Sequence, residues 1–194
     1  MGPTSANDAG GLLSPPLRAQ LLTVAAEAIR AGLSGARWQP RLGDYAEPLR
    51  QPRASFVTLR LGAALRGCVG NLDTLLPLVQ DVAHNARAAA FEDPRFAPLT
   101  QVEFVRLDIH LALLNPPQPI PCASEAEALA QLRPQIDGVV LVDGACRGTF
   151  LPSVWRELPE PRTFLHQLKR KAGLPEEHWS NTLRLWRYTV ESVP

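Results

Sequence analysis

The stretch Phe56 to Asn71, FVTLRLGAALRGCVGN, limits the fold more than any other part of the chain. Phe56-Val57-Thr58-Leu59 is aromatic and β-branched, chemistry that suits a pleated, half-buried surface, so the stretch begins as a strand. Gly62-Ala63-Ala64 then offers no bulk, and Arg66-Gly67-Cys68-Val69-Gly70 follows. Gly67 and Gly70 bracket a thiol that sits two residues from a guanidinium. Glycine lets the backbone take positive φ or come close to another group. A cysteine placed this way is either a packed small hydrophobe or a reactive thiol.

The surrounding chain reads as alternating helices and strands. Ser14 stands before a helix with Pro15 and Pro16 in its first turn, where missing N–H groups cost nothing. Leu17, Leu21, Leu22, Ala25, Ile29 and Leu33 form its apolar stripe. Residues 36 to 53 carry three prolines and no period and read as a long loop; Trp38 and Tyr45 there either line a pocket or pin the loop to the core. Asn71 to Thr74 supplies a cap, and a helix runs to about Phe91 with Leu75, Leu78, Val79, Val82, Ala83, Ala86 and Ala90 inward and His84, Asn85 and Arg87 off the stripe. Thr100 to Glu103 has capping-box form. Phe104 to Leu114 alternates as a strand with one buried face. Asn115 to Pro119 breaks the pattern. A short helix over 124 to 132 follows, capped by Ser124. Then come a buried strand, Gly138 to Val142, an Asp143-Gly144 turn and a return strand, Cys146 to Leu151. Helices over Ser153 to Leu158 and after Pro161, the latter ending at Gly173, precede a last strand from Leu183 to Val190.

The chain resembles itself. Val57 to Cys68 can be laid on Val139 to Thr149 with one residue deleted, and Val, Leu, Gly, Ala, Arg and Gly coincide. This reads as two related hairpins, one in each half, with Cys68 matched to Thr149.

At 194 residues the chain can bury one good core or two smaller ones. A net charge of +1 leaves no basic stripe for nucleic acid, and Lys169-Arg170-Lys171 reads as a helix end. No run of about 18 apolar residues predicts a membrane helix. The N-terminus lacks a secretion signal, and Pro3 and Ala6 argue against myristoylation after Gly2. Three cysteines, Cys68, Cys122 and Cys146, without CxxC spacing point to free thiols in a reducing cytoplasm. No zinc-ligand spacing, Walker motif or dinucleotide fingerprint is present, so no metal or cofactor is expected.

The segments LRGCVG (65–70), FEDPRF (91–96) with Pro98-Leu99, GVVL (138–141), TFLPSVW (149–155) and KAGLP (171–175) occur in this order. Together they resemble the AMMECR-domain family, whose bacterial form carries the name AmmeMemoRadiSam system protein A. The resemblance runs from about residue 14 to 192, with a flexible tail expected over 1–13. Val69 stands where isoleucine is usual, a volume-level swap. The resemblance implies an α/β (α+β) protein of two unequal, interleaved lobes, with largely antiparallel sheets flanked by helices and the hexapeptide near the cleft between them. It also implies association with a Memo-like protein and a radical-SAM protein. It does not identify a reaction.

Three readings of the motif stand side by side. In the first, Cys68 is a catalytic nucleophile whose thiolate is favoured by Arg66 and by the positive end of the helix starting near Thr74. His84, His110, His166 and His178 are candidate bases, and Asp73, Glu92 and Asp93 candidate acids or bases. In the second, the motif binds an unknown small ligand or a partner: Arg66 holds a carboxylate or phosphate, and the amides of Gly67 and Gly70 form an anion nest. In the third, Cys68 is inert, the glycines serve close packing, and Arg66 is salt-bridged within the fold.

Overall fold

The computed structural model describes residues 13–72 and 75–194. The chain divides into two compact units. The first runs to Leu114 and takes back Glu191–Pro194; the second is Asn115–Val190. Each unit holds a four-stranded sheet, and the fold is α+β with antiparallel sheets. Among the described residues no helix is long and apolar enough to cross a membrane.

In the first unit, α1 (Pro15–Leu33) buries Leu21, Val24, Ala25, Ala28 and Ile29. Ser14 occupies the N-cap position, but its hydroxyl makes no capping bond. The expected loop over 36 to 53 contains a short helix, α2 (Glu47–Arg50), anchored by fully buried Leu49. Trp38 and Tyr45 are partly buried against the core, which favours their pinning role. The sheet has the order β2-β1-β3-β8, from β1 (Ser55–Leu61), β2 (Ala64–Gly70), β3 (Asp108–Leu114) and β8 (Val190–Val193). Val57, Leu59, Leu111 and Leu113 join the core made by α1 and α3 (Leu78–Phe91). The capping box is present: Glu103 Oε2 accepts the Thr100 N–H, and Thr100 Oγ1 accepts the Glu103 N–H. It opens a one-turn helix, α4 (Gln101–Phe104), so β3 begins at Asp108, four residues later than expected.

Two expectations about α3 are corrected. The helix starts at Leu78, with Pro77 as N-cap, and Leu75 is almost fully exposed. The proposed cap residues Asp73 and Thr74 lie outside the described residues. Asn85, placed off the apolar stripe, is fully buried. Its amide donates to Asp81 Oδ2 at 2.9 Å and to the Ser55 carbonyl at 3.0 Å, and the Ser55 N–H and Oγ–H both donate to Asp81 Oδ2 at 2.8 and 2.6 Å. Buried polar groups persist where they satisfy one another. This trio fastens α3 to the start of β1.

A second buried carboxylate, Glu191 on β8, gathers the Leu13 N–H at 2.9 Å, Arg18 Nε at 3.0 Å and Arg53 Nη2 at 3.1 Å. Leu13, assigned to the flexible tail, is therefore packed; residues 1–12 lie outside the described residues.

The second unit has the sheet order β4-β7-β5-β6, from β4 (Gln118–Ile120), β5 (Gly138–Asp143), β6 (Cys146–Phe150) and β7 (Arg184–Tyr188). The Pro-rich break thus yields a three-residue edge strand, a position where proline is tolerated. The expected last strand splits at Thr189: β7 joins this sheet and β8 the other. Ser124 caps α5 (Glu125–Gln131) through its side chain, and α6 (Pro161–Lys171) supplies Phe164, Leu165 and Leu168 to the core. The segment Pro152–Arg156 is a 3₁₀ turn rather than a helix. Its Trp155 stacks on Phe164 at 3.7 Å, and its indole N–H donates to the Asp137 carbonyl at 2.7 Å. Lys169-Arg170-Lys171 is the expected helix end, the last turn of α6, and Lys169 is fully buried within it, bonded to the Glu125 carboxylate and to the Glu176 carbonyl.

The two hairpins match. Each turns on a Gly-Ala pair with positive φ at the glycine, 59° at Gly62 and 58° at Gly144. Thr58 opposes Cys68 in one, and Val140 opposes Thr149 in the other. The third strand lies antiparallel beside the inner strand in both. The single residue deleted in the sequence comparison has a structural counterpart. Arg60 pairs with Leu65 and Leu59 with Gly67, so Arg66 is an extra residue, a β-bulge absent from the second hairpin.

Candidate functional site

The motif strand β2 is an edge strand, and its two glycines serve close approach. A Cβ on Gly67 would lie 2.1 Å from the Ala89 carbonyl oxygen of α3, so the helix backbone rests directly on this strand. A Cβ on Gly70 would lie 2.4 Å from the Phe56 ring and 2.5 Å from the Ser55 carbonyl oxygen. Neither glycine has positive φ. Gly67 lies opposite Leu59 and Gly70 opposite Phe56 in the ladder. This extended geometry does not make the anion nest expected of their amides, because a nest needs successive residues of opposite helical hand.

The bulge redirects Arg66, which a regular strand would have placed beside Cys68. Its guanidinium grips Glu103, with Nε–Oε1 at 2.8 Å and Nη2–Oε2 at 3.2 Å, and donates to the Ala97 carbonyl at 2.8 Å. It also lies over the Phe96 ring at 5.8 Å. The side chain is 11% exposed. Arg66 is thus engaged within the fold, as the third reading expected.

Cys68 is half-buried. Its N–H donates to Asp93 Oδ2 at 2.9 Å, and its carbonyl accepts from Arg95 Nη2 at 3.3 Å. Arg95 in turn grips Asp93, with Nε–Oδ1 at 2.9 Å and Nη2–Oδ2 at 2.7 Å. Because the Cys68 backbone groups point away from β1, Thr58 and Cys68 form the closer kind of antiparallel pair, and their side chains meet. Thr58 Oγ1 and Cys68 Sγ are 3.4 Å apart. On the far side of Thr58 its partner is His110. Cys68, Thr58 and His110 therefore form one row across three strands, on the sheet face opposite buried Val57, Leu59 and Leu111.

Two expectations about activation change here. The end of α3 that meets the motif is the C-terminal one, around Ala89, so the positive helix pole is not the end packed on this strand. Of the candidate bases, His84 is exposed on α3, and His166 and His178 belong to the second unit, bonded to Glu125 and Asp143. Glu92 pairs with Arg87. Asp93 is committed to Arg95 and the Cys68 amide, and Asp73 lies outside the described residues. Among the described residues, His110 is the one candidate base that shares a row with the thiol. Thr58, Arg95 and Glu103 were not singled out as site residues. Thr58 carried a usable signal, since the repeat comparison with its one-residue gap sets Cys68 against it.

The Arg95 guanidinium, with the backbone N–H of Cys68, holds the Asp93 carboxyl well below the usual carboxylate range. Arg66, and then the Thr100 N–H, lower Glu103 to about 2. A carboxylate with a depressed folded-state pKa stabilises the fold above its ordinary pKa and loses that contribution as pH falls through the folded value. The Glu103–Arg66 contribution is therefore lost between the ordinary glutamate range, about 4.3, and about 2. Thermal unfolding of wild type and Glu103→Gln is expected to differ at neutral pH and converge across that interval. A difference that stays constant down to the lower end would exclude this role.

The second unit gathers His178, Ser180 and Thr182 on one carboxylate, Asp143, at 2.6, 2.8 and 2.6 Å. Donation from Thr182, His178 and Ser180 lowers Asp143 to about 2. The residue types are those of a hydrolytic triad, but the arrangement is not. Histidine and serine both bond to the aspartate and not to each other, so nothing there activates a nucleophile. Among the described residues no cluster of His, Cys, Asp or Glu is arranged to hold a metal.

Two antiparallel-sheet units with matching hairpins, one of them carrying a thiol on a strand locked by the FEDPRF loop, define the class of this protein. The chain belongs to the AMMECR1 family, whose sequence pattern matches residues 22–193. A protein of Methanothermobacter thermautotrophicus is 32% identical over 173 residues, covering 88% of this chain and 90% of its own. One from Thermotoga maritima is 36% identical over 147 residues, covering 75% and 79%. The crystal structure of an uncharacterised protein from Pyrococcus horikoshii is similar with a TM-score of 0.82 at 28% identity, covering 93% of this chain and 92% of that one.

Proposed function

We propose that this is a cytoplasmic ligand-binding protein of the AmmeMemoRadiSam system, with its site on the Cys68–Thr58–His110 row. The observation that carries this reading is the state of the neighbouring charges. Arg66 is committed to Glu103, and Asp93 to Arg95 and the Cys68 amide, so thiol, hydroxyl and imidazole are the groups left to meet a ligand. A thiol beside a neutral hydroxyl, with no base in hydrogen-bond contact among the described residues, favours binding over nucleophilic catalysis. Arg66, Gly67 and Gly70 then serve the site by shaping the strand rather than by touching the ligand.

Alkylation of Cys68, followed by mass spectrometry with Cys122 and Cys146 as internal references, tests this. Cys68 is expected to label in the native protein, and a small-molecule extract of the source cells is expected to slow that labelling while leaving the reference thiols unchanged. Cys68→Ser is expected to keep the fold and lose whatever copurifies in native mass spectrometry. Labelling only after denaturation would reject the site. Fast labelling with a low-pH midpoint would favour thiol catalysis instead.

A second reading, a non-catalytic adaptor for a Memo-like or radical-SAM protein, is favoured by two valines on and beside α4. Val102 and Val105 flank the arginine-binding Glu103 and are each 78% exposed. Co-purification with either partner that is lost in the Val102→Asp/Val105→Asp variant would select it.

A further inference from the structure

The outer edge of β2 offers a backbone N–H and C=O at Cys68, since both groups point away from β1. An edge strand with free backbone groups is a template for another strand. Here Asp93 accepts that N–H and Arg95 donates to that C=O, while Arg95 and Asp93 bond to each other. An acceptor and a donor, held side by side at strand distance, reproduce what one residue of a neighbouring strand would present. Asp93 is 3% exposed at its side chain and Arg95 53%, so the acceptor is fixed inside the fold and the donor lies at its rim. The loop sequence Glu92-Asp93-Pro94-Arg95 suits the task. Pro94 stiffens the turn, and the Asp93 Oδ1 also accepts the Arg95 N–H at 3.1 Å.

We infer that the Asp93–Arg95 pair guards the β2 edge, and that removing it opens a strand-addition site whose occupant is the β2 edge of a second copy of this chain. The second copy is the natural occupant because antiparallel pairing of one edge with itself is self-complementary. Each Cys68 would offer the other both a donor and an acceptor across a two-fold axis. The guard keeps β2 unpaired and so preserves access to the Cys68 side chain. This inference is independent of what the thiol binds.

The experiment compares wild type, Arg95→Ala, and Asp93→Ala/Arg95→Ala by light scattering and by hydrogen exchange at low and high protein concentration. Wild type is expected to be monomeric with respect to this edge and to protect the Cys68 amide at both concentrations. The double variant is expected to dimerise, with protection of residues 64–70 returning only at high concentration. A third variant adds Cys68→Pro to the double variant. It removes the outward N–H without breaking the β1 ladder, since that N–H faces away from β1. It is expected to restore the monomer. If the double variant does not fold, Arg95→Ala carries the test, with weaker dimerisation expected. Foldable guardless variants that stay monomeric at high concentration, or dimers that survive Cys68→Pro, would overturn the inference.

Discussion

Gly67→Ala is expected to destabilise the first unit by about 3 kcal/mol, the upper part of the range for forcing extra atoms into a packed interior. The added methyl, fixed rigidly to the strand, would meet the Ala89 carbonyl oxygen, a backbone atom, at 2.1 Å. Neither side can rotate away, so α3 must lift from β2. The loss spreads because α3 also carries Val79, Val82, Ala83 and Ala86 into the core. Gly62→Ala is the control. It meets nothing within 4 Å and bears only the strain of positive φ, about 1 kcal/mol. Chemical denaturation of the two variants should separate them clearly. Equal losses would mean that β2 and α3 are not in register-fixing contact.

Asp81→Ala is expected to cost about 3 to 5 kcal/mol. Three donors, the Ser55 N–H, the Ser55 hydroxyl and the Asn85 amide, converge on one carboxylate oxygen inside the core. Each buried donor left without a partner costs about 1–3 kcal/mol. Asp81→Asn keeps an acceptor and should lose less. Hydrogen exchange over Ser55–Leu61 reports the site of damage, because the network holds the first residue of β1. Unchanged exchange there in a destabilised Asp81→Ala protein would place the network's role elsewhere.

The hairpins were legible because their signals are local. Gly62-Ala63 and Gly144-Ala145 mark the turns, and alternation marks the strands. The candidate site could be named from the sequence, but its geometry could not. From the turn alone, extending the Leu61–Ala64 and Arg60–Leu65 pairs would set Thr58 against Gly67. The bulge at Arg66 shifts that register by one and brings Cys68 to Thr58 instead. A bulge has no composition of its own; only the one-residue gap between the repeats hinted at it. Asn85 defeated periodicity for another reason. A polar residue is buried when distant partners satisfy it, and Ser55 lies 30 residues earlier in the chain. The split at Thr189 was hidden because both halves alternate, and which sheet each joins depends on long-range pairing.

The return of Glu191–Pro194 to the first unit orders events during synthesis. Residues 115–190 emerge from the ribosome as one uninterrupted run, so the second unit has all of its strands before the first does. Until β8 arrives, the nascent first unit lacks one sheet edge, and Arg18 and Arg53 lack the Glu191 carboxylate between them. A released chain truncated after Val190 should therefore show a protease-resistant second unit beside a first unit that is still readily cut.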